Sequence, residues 1–279
     1  MQFSLVNGVR EEAFPTGRGQ CPTCGATLIA KCGPRIVHHW AHPSHRDCDP
    51  WWENETEWHR RWKNQFPPEC REVHHVASDG EVHRADIKTQ TGIYIEIQHS
   101  AMTDAERKAR ENFYKNLVWV IDGRGFRDNF DLYHLLPAPE SQIAKDLVWF
   151  KAKRHMQGAN HGAFFRWSEY LQDHPGSPKA AVTSGLIHGI REIEDQVNQA
   201  YCGHHQYDWV RPRRVWLDAV APVYIDFDID YLFRLETYDT SGLLCVKLVA
   251  RRKFLHDVMV ETCNTDIATR FFPLSTAYG

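Results

Sequence analysis

The run LVWVID at residues 117–122 is apolar at almost every position, the pattern of a strand buried on both faces rather than on one. Such a strand belongs in a layered α/β core, and the residues leading up to it supply the other layers. Thr103-Asp104-Ala105-Glu106 matches the S/T-x-x-E capping box and opens a helix expected to run to about Asn116. Before it, REVHHVA, EVHRADIKT and IYIEIQHS read as three strands, with turns at Ser78-Asp79-Gly80 and at Gly92. The first piece, WWENETEWHRRWKNQF, reads as a helix closed by Pro67 and Pro68, with Trp58, Trp62 and Phe66 recurring every four residues on its buried face. Glu55, His59 and Lys63 recur with the same period beside that stripe. The order is helix, three strands, helix, strand, and the last strand can return parallel to an earlier one through a right-handed crossover.

Ahead of this core, CPTCG places Cys21 and Cys24 at the C-x2-C spacing with which two thiolates grip one cation. ATLIAK and RIVHHW, on either side of a turn at Cys32-Gly33-Pro34, read as two short strands between paired Cys/His groups. That is how a small zinc ribbon is built, because the metal replaces a core too small to fold unaided. Cys48 is the natural third ligand, while His39, His42 and His45 compete for the fourth place. His42 is favoured because a loop follows it to Cys48, whereas His39 lies within a strand. Four protein ligands leave no open position for substrate, so the zinc is expected to be structural. Residues 1–20 read as a lead-in strand and loop. The eight cysteines are otherwise read as free thiols, since disulfide frameworks belong to short secreted chains. With no basic-then-apolar start, and no apolar run approaching the roughly 20 residues of a membrane span, a cytoplasmic protein with no membrane partner is expected.

The alternation in IYIEIQHS puts Ile93, Ile95 and Ile97 on one face and Tyr94, Glu96, Gln98 and Ser100 on the other. A hairpin through Gly92 would carry Asp86 close to Glu96. Two carboxylates at a sheet edge form a hard-oxygen site suited to Mg2+ or Mn2+. Phosphodiester cleavage needs an activated water and a cation to stabilise charge on the phosphate, and a site of this kind supplies both. Asp86 and Glu96 are then the metal ligands. Gln98 can orient water but brings no charge, Glu55 could complete the metal site directly or through water, and His59 is a candidate to contact phosphate or move a proton.

With CPTCG, the HWAH tetrapeptide followed by DC, ENET with His59 and Lys63, the Ala85-Asp86-Ile87 strand, and IEIQHS followed by the capped helix and LVWVID, the chain resembles the CoiA-like competence-protein family over roughly residues 20–123. The resemblance implies a zinc-binding N-terminal segment leading into a PD-(D/E)XK, restriction-endonuclease-like core of αβββαβ order. It implies a metal-dependent DNA endonuclease acting in competence, recombination or defence against foreign DNA, on single- or double-stranded DNA. Its active-site positions fall on Glu55, Asp86, Glu96 and Gln98, with Gln98 where a lysine is usual. The domain reading is a zinc-ribbon-like segment at 1–50, the nuclease-like core at 51–136, and an α+β accessory domain at 137–279. Two alternatives stand beside it: a DNA-binding or assembly factor with little or no cutting, and an effector nuclease controlled by a protein partner held through the accessory domain.

In that last stretch, helical pieces are expected around 141–157 and 185–201, followed by a β-rich tail from Val215. Asp226, Asp228 and Asp230 read as the wet face of a strand, and Cys202 with His204 and His205 as a chance grouping. Arg211, Arg213 and Arg214, then Arg251, Arg252 and Lys253, form two basic clusters, and Arg107, Lys108 and Arg110 a third. A formal net charge of −3 requires any DNA contact to use local patches of this sort.

Overall fold

Asn7 and Gly8 both take positive φ, 53° and 82°, the pair of left-handed residues that a two-residue hairpin turn requires. They join β1 (Phe3–Val6) to β2 (Val9–Glu12), with Val6 opposite Val9 and Phe3 opposite Glu12. β3 (Arg18–Gln20), β4 (Thr27–Lys31) and β5 (His39–Ala41) extend this into an antiparallel sheet of order β2-β1-β3-β4-β5. Of the two strands expected around the Cys32 turn, ATLIAK forms β4, whereas only the end of RIVHHW enters β5, since residues 34–36 are taken up by the turn. The first twenty residues, however, form three strands rather than a lead-in strand and loop, and the Asn-Gly pair is the local reason. Met1, Cys21, Leu28 and Trp40 fill the core of this sheet.

The computed structural model describes residues 1–43, 48–49, 51, 55–77 and 80–260. They fall into two units, Met1–Val120 with the residues from Leu255 on, and Ile121–Phe254.

In the first unit, the helix expected over WWENETEWHRRWKNQF is shorter: α1 (Glu57–Lys63) begins where the Thr56 side chain accepts a hydrogen bond from His59 N at 3.2 Å, so that Glu55 lies ahead of it and Phe66 beyond it. Trp58, Trp62 and Phe66 are buried as their spacing predicts. So are His59 and Lys63, which places the neighbouring polar stripe inside the molecule as well. β6 (Arg71–Val76), β7 (Val82–Lys88) and β8 (Tyr94–Gln98) follow, then α2 (Asp104–Phe113) and β9 (Leu117–Asp122). The strands lie in the order β9-β8-β7-β6, with β6, β7 and β8 successively antiparallel. Tyr94 N donates to Asn116 O at 2.9 Å, which sets the starts of β8 and β9 side by side, so these neighbours run parallel across the α2 crossover. Gly92, at φ 82°, makes the tight β7–β8 turn, whereas Ser78 and Asp79 of the other expected turn lie outside the described residues. Thr103 caps α2 by accepting from Glu106 N, but the Glu106 carboxylate turns to Arg110 at 2.7 Å. A charged partner one turn along outweighs the return half of the capping box.

In the second unit, β10 (Phe130–Pro137) pairs along its length with β14 (Tyr201–Trp209), which draws residues 121–136 to the segment that follows them. Between them lie β11 (Leu147–Trp149), α3 (Gln157–Asn160), β12 (Ala163–Arg166), α4 (Trp167–Asp173), β13 (His188–Gly189) and α5 (Glu194–Gln199). After β14 come α6 (Arg214–Leu217), β15 (Val223–Asp226), β16 (Tyr231–Thr237), β17 (Leu244–Ala250) and α7 (Arg251–Met259), of which the residues from Leu255 on belong to the first unit. The strand order is β10-β14-β17-β16-β15, and β11, β12 and β13 form a separate sheet. The stretch 141–157, expected to be helical, is instead turns and the buried strand β11, because Leu147 and Trp149 belong to the core of this unit. The expected wet strand face at 226–230 is broken by Asp228 at φ 61°, and Asp226 is wholly buried against Arg251 at 2.6 Å. No helix among the described residues is long and apolar enough to cross a membrane.

Ile95, fully buried in β8, anchors the strand that carries Glu96. Ile95→Ala is expected to lower stability by about 2–5 kcal/mol in urea denaturation, through lost burial and the cavity left behind.

Candidate active site and metal cluster

The β7–β8 register sets Ile87 opposite Ile95 and Lys88 opposite Tyr94, and the same register faces Asp86 with Glu96. On the other side, β6 pairs Arg71 with Ile87 and Val73 with Ala85, so Glu72 lies opposite Asp86. Three carboxylates thus stand in a row across β6, β7 and β8. They line a cavity of about 40 Å3, together with Glu55, His59, Lys63 and Gln98. That is room for a cation or a small number of waters. All five residues expected from the sequence, Glu55, His59, Asp86, Glu96 and Gln98, therefore line one pocket.

Their contacts differ. Asp86 Oδ2 accepts from Ile97 N at 2.9 Å, and Oδ1 lies 2.8 Å from His59 Nε2, within ion-pair range but off the line of a good hydrogen bond. The opposite edge of the ring, Nδ1, is buried with no hydrogen-bond partner among the described residues. Burial alone would push the Asp86 carboxyl up, but His59, Lys63 and the Ile97 N–H bring it down to about 2. Glu96 goes the other way. Burial and the neighbouring Asp86 charge raise its carboxyl to about 8, against the opposing pull of Arg110, whose Nη1 donates to Oε2 at 2.8 Å. Glu96 Oε1 accepts from Asp86 N at 3.3 Å. Gln98 Nε2 donates to Ser100 Oγ at 3.0 Å.

Glu55 is held away from this pair by Lys63 at 2.6 Å and by Arg60. Lys63 Nζ also donates to Glu72 Oε1 at 2.8 Å, so one buried ammonium bridges two carboxylates. Glu72 accepts in addition from Gln2 N at 2.8 Å and from Phe3 N at 3.2 Å, tying β1 to β6. It sits at φ 47°, in the left-handed region, a conformation that costs a non-glycine residue about 1–3 kcal/mol and that its contacts must offset. Glu72, Arg84 and Asp49 were not singled out from the sequence. The alternation of β6 and β7 is the available signal, since it puts Glu72 across from Asp86, and Arg84 on the same face as Asp86. Arg107 and Arg110, read from the sequence as part of a basic cluster, are buried in ion pairs with Glu111, Glu96 and Glu106.

The second group of side chains lies in the N-terminal sheet. Cys21, Cys24, His42 and Cys48 bring one ligand atom each to within 4.8 Å of one another. Cys21 Sγ is 3.6 Å from Cys48 Sγ, and Cys24 Sγ is 3.4 Å from His42 Nε2. Metal–ligand bonds of about 2.0–2.3 Å in a tetrahedron have edges of about 3.3–3.8 Å, so the donor set fits a structural metal such as zinc. The turn is shaped for it: Gly25 N donates to Cys21 O at 2.9 Å with Gly25 at φ 71°. Burial alone would raise the Cys21 thiol, but N–H groups of Cys24 and Thr23 aimed at it lower its proton affinity, as thiolate ligation requires. His39 is turned elsewhere, with Nδ1 against Val37 O at 2.9 Å, and His45 lies outside the described residues.

Cys48 is followed at once by Asp49, whose carboxylate meets His83 Nδ1 at 2.9 Å and Arg84 N at 2.8 Å. Trp51 stacks on the His83 ring with centroids 3.3 Å apart. The end of the cysteine cluster is thereby fastened to β7, two residues from Asp86. No protein-family model, curated protein or solved structure matches this chain.

Purified protein is expected to carry about one zinc per chain by elemental analysis, and Cys24→Ser and Cys48→Ser to lose it with a lowered melting temperature. A second expectation concerns acid. Burial would raise the Glu72 carboxyl, but Lys63 and Arg84 hold it well below the usual carboxylate range. The stability it contributes is complete above an unfolded-state pKa of about 4.3 and is lost as pH falls towards the folded value. Thermal melts from about pH 7 down to about pH 3 should therefore show a flatter acid limb in Glu72→Gln than in the wild type, from a lower starting stability.

Proposed function

We propose that the first unit is a restriction-endonuclease-like, CoiA-like nuclease core that hydrolyses phosphodiester bonds in DNA with Mg2+ or Mn2+. The observation that carries this reading is the placement of Asp86 and Glu96 opposite one another on β7 and β8, Glu96 buried and Asp86 half-buried, two acids sharing one small cavity. Two hard carboxylates in that position suit a divalent cation and are poorly suited to each other without one. Asp86 and Glu96 would hold the cation, which supplies Lewis acidity to the phosphate and to the attacking water. His59 orients Asp86 through Nε2 and offers Nδ1 as a proton-handling edge inside the pocket. Lys63 keeps Glu55 and Glu72 paired, so the pocket's remaining acids do not compete for the same cation. The cysteine–histidine cluster is read as a structural zinc that holds the approach to β7.

A second reading has an observation of its own. Gln98, where a lysine would bring charge, is an amide held against Ser100. That arrangement favours a factor that binds DNA without cutting it.

Incubation of purified protein with plasmid and with linear single-stranded DNA, in magnesium, manganese or chelator, separates the two. Metal-dependent cleavage should be abolished in Asp86→Asn and reduced about 10–100-fold in His59→Gln, the usual cost of losing a residue that orients a metal ligand. Identical behaviour of wild type and Asp86→Asn in every condition would sink the nuclease reading. Binding that survives Glu96→Gln, with no metal-dependent product from the wild type, would establish the second.

A further inference from the structure

Beside the acidic pocket lies a cleft of about 260 Å3 with the opposite character, lined by Arg10 of β2, Arg71 and His74 of β6, and Arg84 of β7. Arg10 donates to Pro68 O at 2.6 Å and to Arg71 O at 2.5 Å. Arg71 donates to Phe66 O at 2.7 Å and to Asn64 Oδ1 at 2.8 Å. These acceptors are neutral, so they fix two guanidinium groups in place without cancelling their charge. Burial lowers the proton affinity of Arg10 and of His74; Glu72 pulls the other way at both, while Arg71 and Arg84 add to the lowering at Arg10, and Arg84 and Arg10 at His74. Two carboxylates also line it. Glu72 is committed to Lys63 and the β1 backbone, and Glu69 is exposed.

Arg84 lines both cavities. Its backbone N–H is used by Asp49, but its guanidinium makes no hydrogen bond or ion pair among the described residues. Side chains alternate along β7, so Arg84 stands on the same face as Asp86, about 7 Å away along the strand. An arginine with all its donors available, beside a pocket of carboxylates, is matched to a ligand that brings its own negative charge. The planar fork fits phosphate in a way that an ammonium cannot.

We infer that Arg84, backed by Arg10 and Arg71, grips a backbone phosphate adjoining the one presented to Asp86 and Glu96, so that the nucleic-acid strand reaches the acidic pocket through the basic cleft. The assignment of the neighbouring phosphate rests on the nuclease reading, while the phosphate grip itself does not. The pocket's carboxylates repel a polyanion, and Arg84, which they hold in its charged form while its guanidinium has no hydrogen-bond partner among the described residues, is the cation at its edge that draws the strand in. Contacts of this kind position the strand without reading its sequence.

The test is the salt dependence of binding to a labelled oligonucleotide, single-stranded and duplex, DNA and RNA, in chelator, with Mn2+ binding measured separately by calorimetry. Arg84→Gln is expected to reduce the slope of log affinity against log salt by about 0.9 for duplex and about 0.7 for single strands. Arg84→Lys keeps the charge and therefore the slope. Both variants should still take up Mn2+, Arg84→Gln no more weakly than the wild type because a positive charge has left the pocket, which reports an intact acidic pocket. A wild-type slope in Arg84→Gln overturns the proposal, as does loss of Mn2+ binding in both variants, which would make Arg84 a structural neutraliser of Asp49, Glu72 and Asp86. Wild-type protein that binds oligonucleotide through Arg84 but takes up no Mn2+ would sink the nuclease reading and leave the phosphate grip standing.

Discussion

Asp49, Glu55, Glu72, Asp86 and Glu96 converge on one pocket, and a buried carboxylate without a partner costs more than a domain's whole margin of stability. Each of them is met by a group delivered from a different element. α1 brings His59 to Asp86 and Lys63 to Glu55 and Glu72, while α2 brings Arg110 to Glu96. His83 and the Arg84 backbone meet Asp49. The apolar stripe of Trp58, Trp62 and Phe66 explains why α1 packs on the sheet at all. It is the charge pairing one position round the helix that explains its rotation, since removing one partner of a buried pair costs about 3–5 kcal/mol and an alternative docking would strand several. Fold and site are therefore one constraint in this unit.

The cysteine–histidine cluster belongs to the same constraint. A small sheet with Met1, Cys21, Leu28 and Trp40 for a core has little apolar surface to bury, and a metal held by Cys21, Cys24, His42 and Cys48 would supply the missing cross-link. Its last ligand leads directly into Asp49 and Trp51, which clamp β7 from outside through His83 and Arg84. Thr23, inside the knuckle, reaches His74 of β6 at 2.9 Å. The cluster thus braces the two strands that carry Glu72, Arg84 and Asp86. A metal with no open coordination position would still shape the acidic pocket by holding the strands that line it.

Asp86 and Glu96 are close enough to destabilise each other's charge, and they are kept there by backbone register and by hydrogen bonds from Ile97 N and Asp86 N. The two carboxyl groups are thus held side by side by the fold itself, an arrangement that a bound cation would relieve. Gln98 and Arg84 mark where the pocket departs from a simple acidic site. One is a neutral amide, and the other brings a positive charge on the same face of β7 as Asp86.

Much of this was legible in the chain. Periodicity alone located α1, the three strands, the capped α2 and the buried β9, and the alternation of IYIEIQHS put Glu96 and Gln98 on one face. The C-x2-C spacing and the loop to Cys48 indicated the cluster, and His42 as its histidine. These features are local: each depends on a repeat of about 3.6 or 2 residues, or on a fixed ligand spacing. Glu72, Asp49 and Arg84 were not legible, because their roles come from neighbours more than thirty residues distant or from a strand on the far side of a register. Glu72 acquires its role from Gln2, Lys63 and the positive φ that aims it, and none of these is visible in REVHHVA. Likewise the helix expected at 141–157 gave way to a buried strand once Leu147 and Trp149 found partners across the second unit. The sequence by itself determined the order of elements from α1 to β9 and which residue types could hold a metal. Only the tertiary structure decided which charges are paired and which are left for a ligand, because pairing is settled by distance in space and burial, and neither is a local property of the chain.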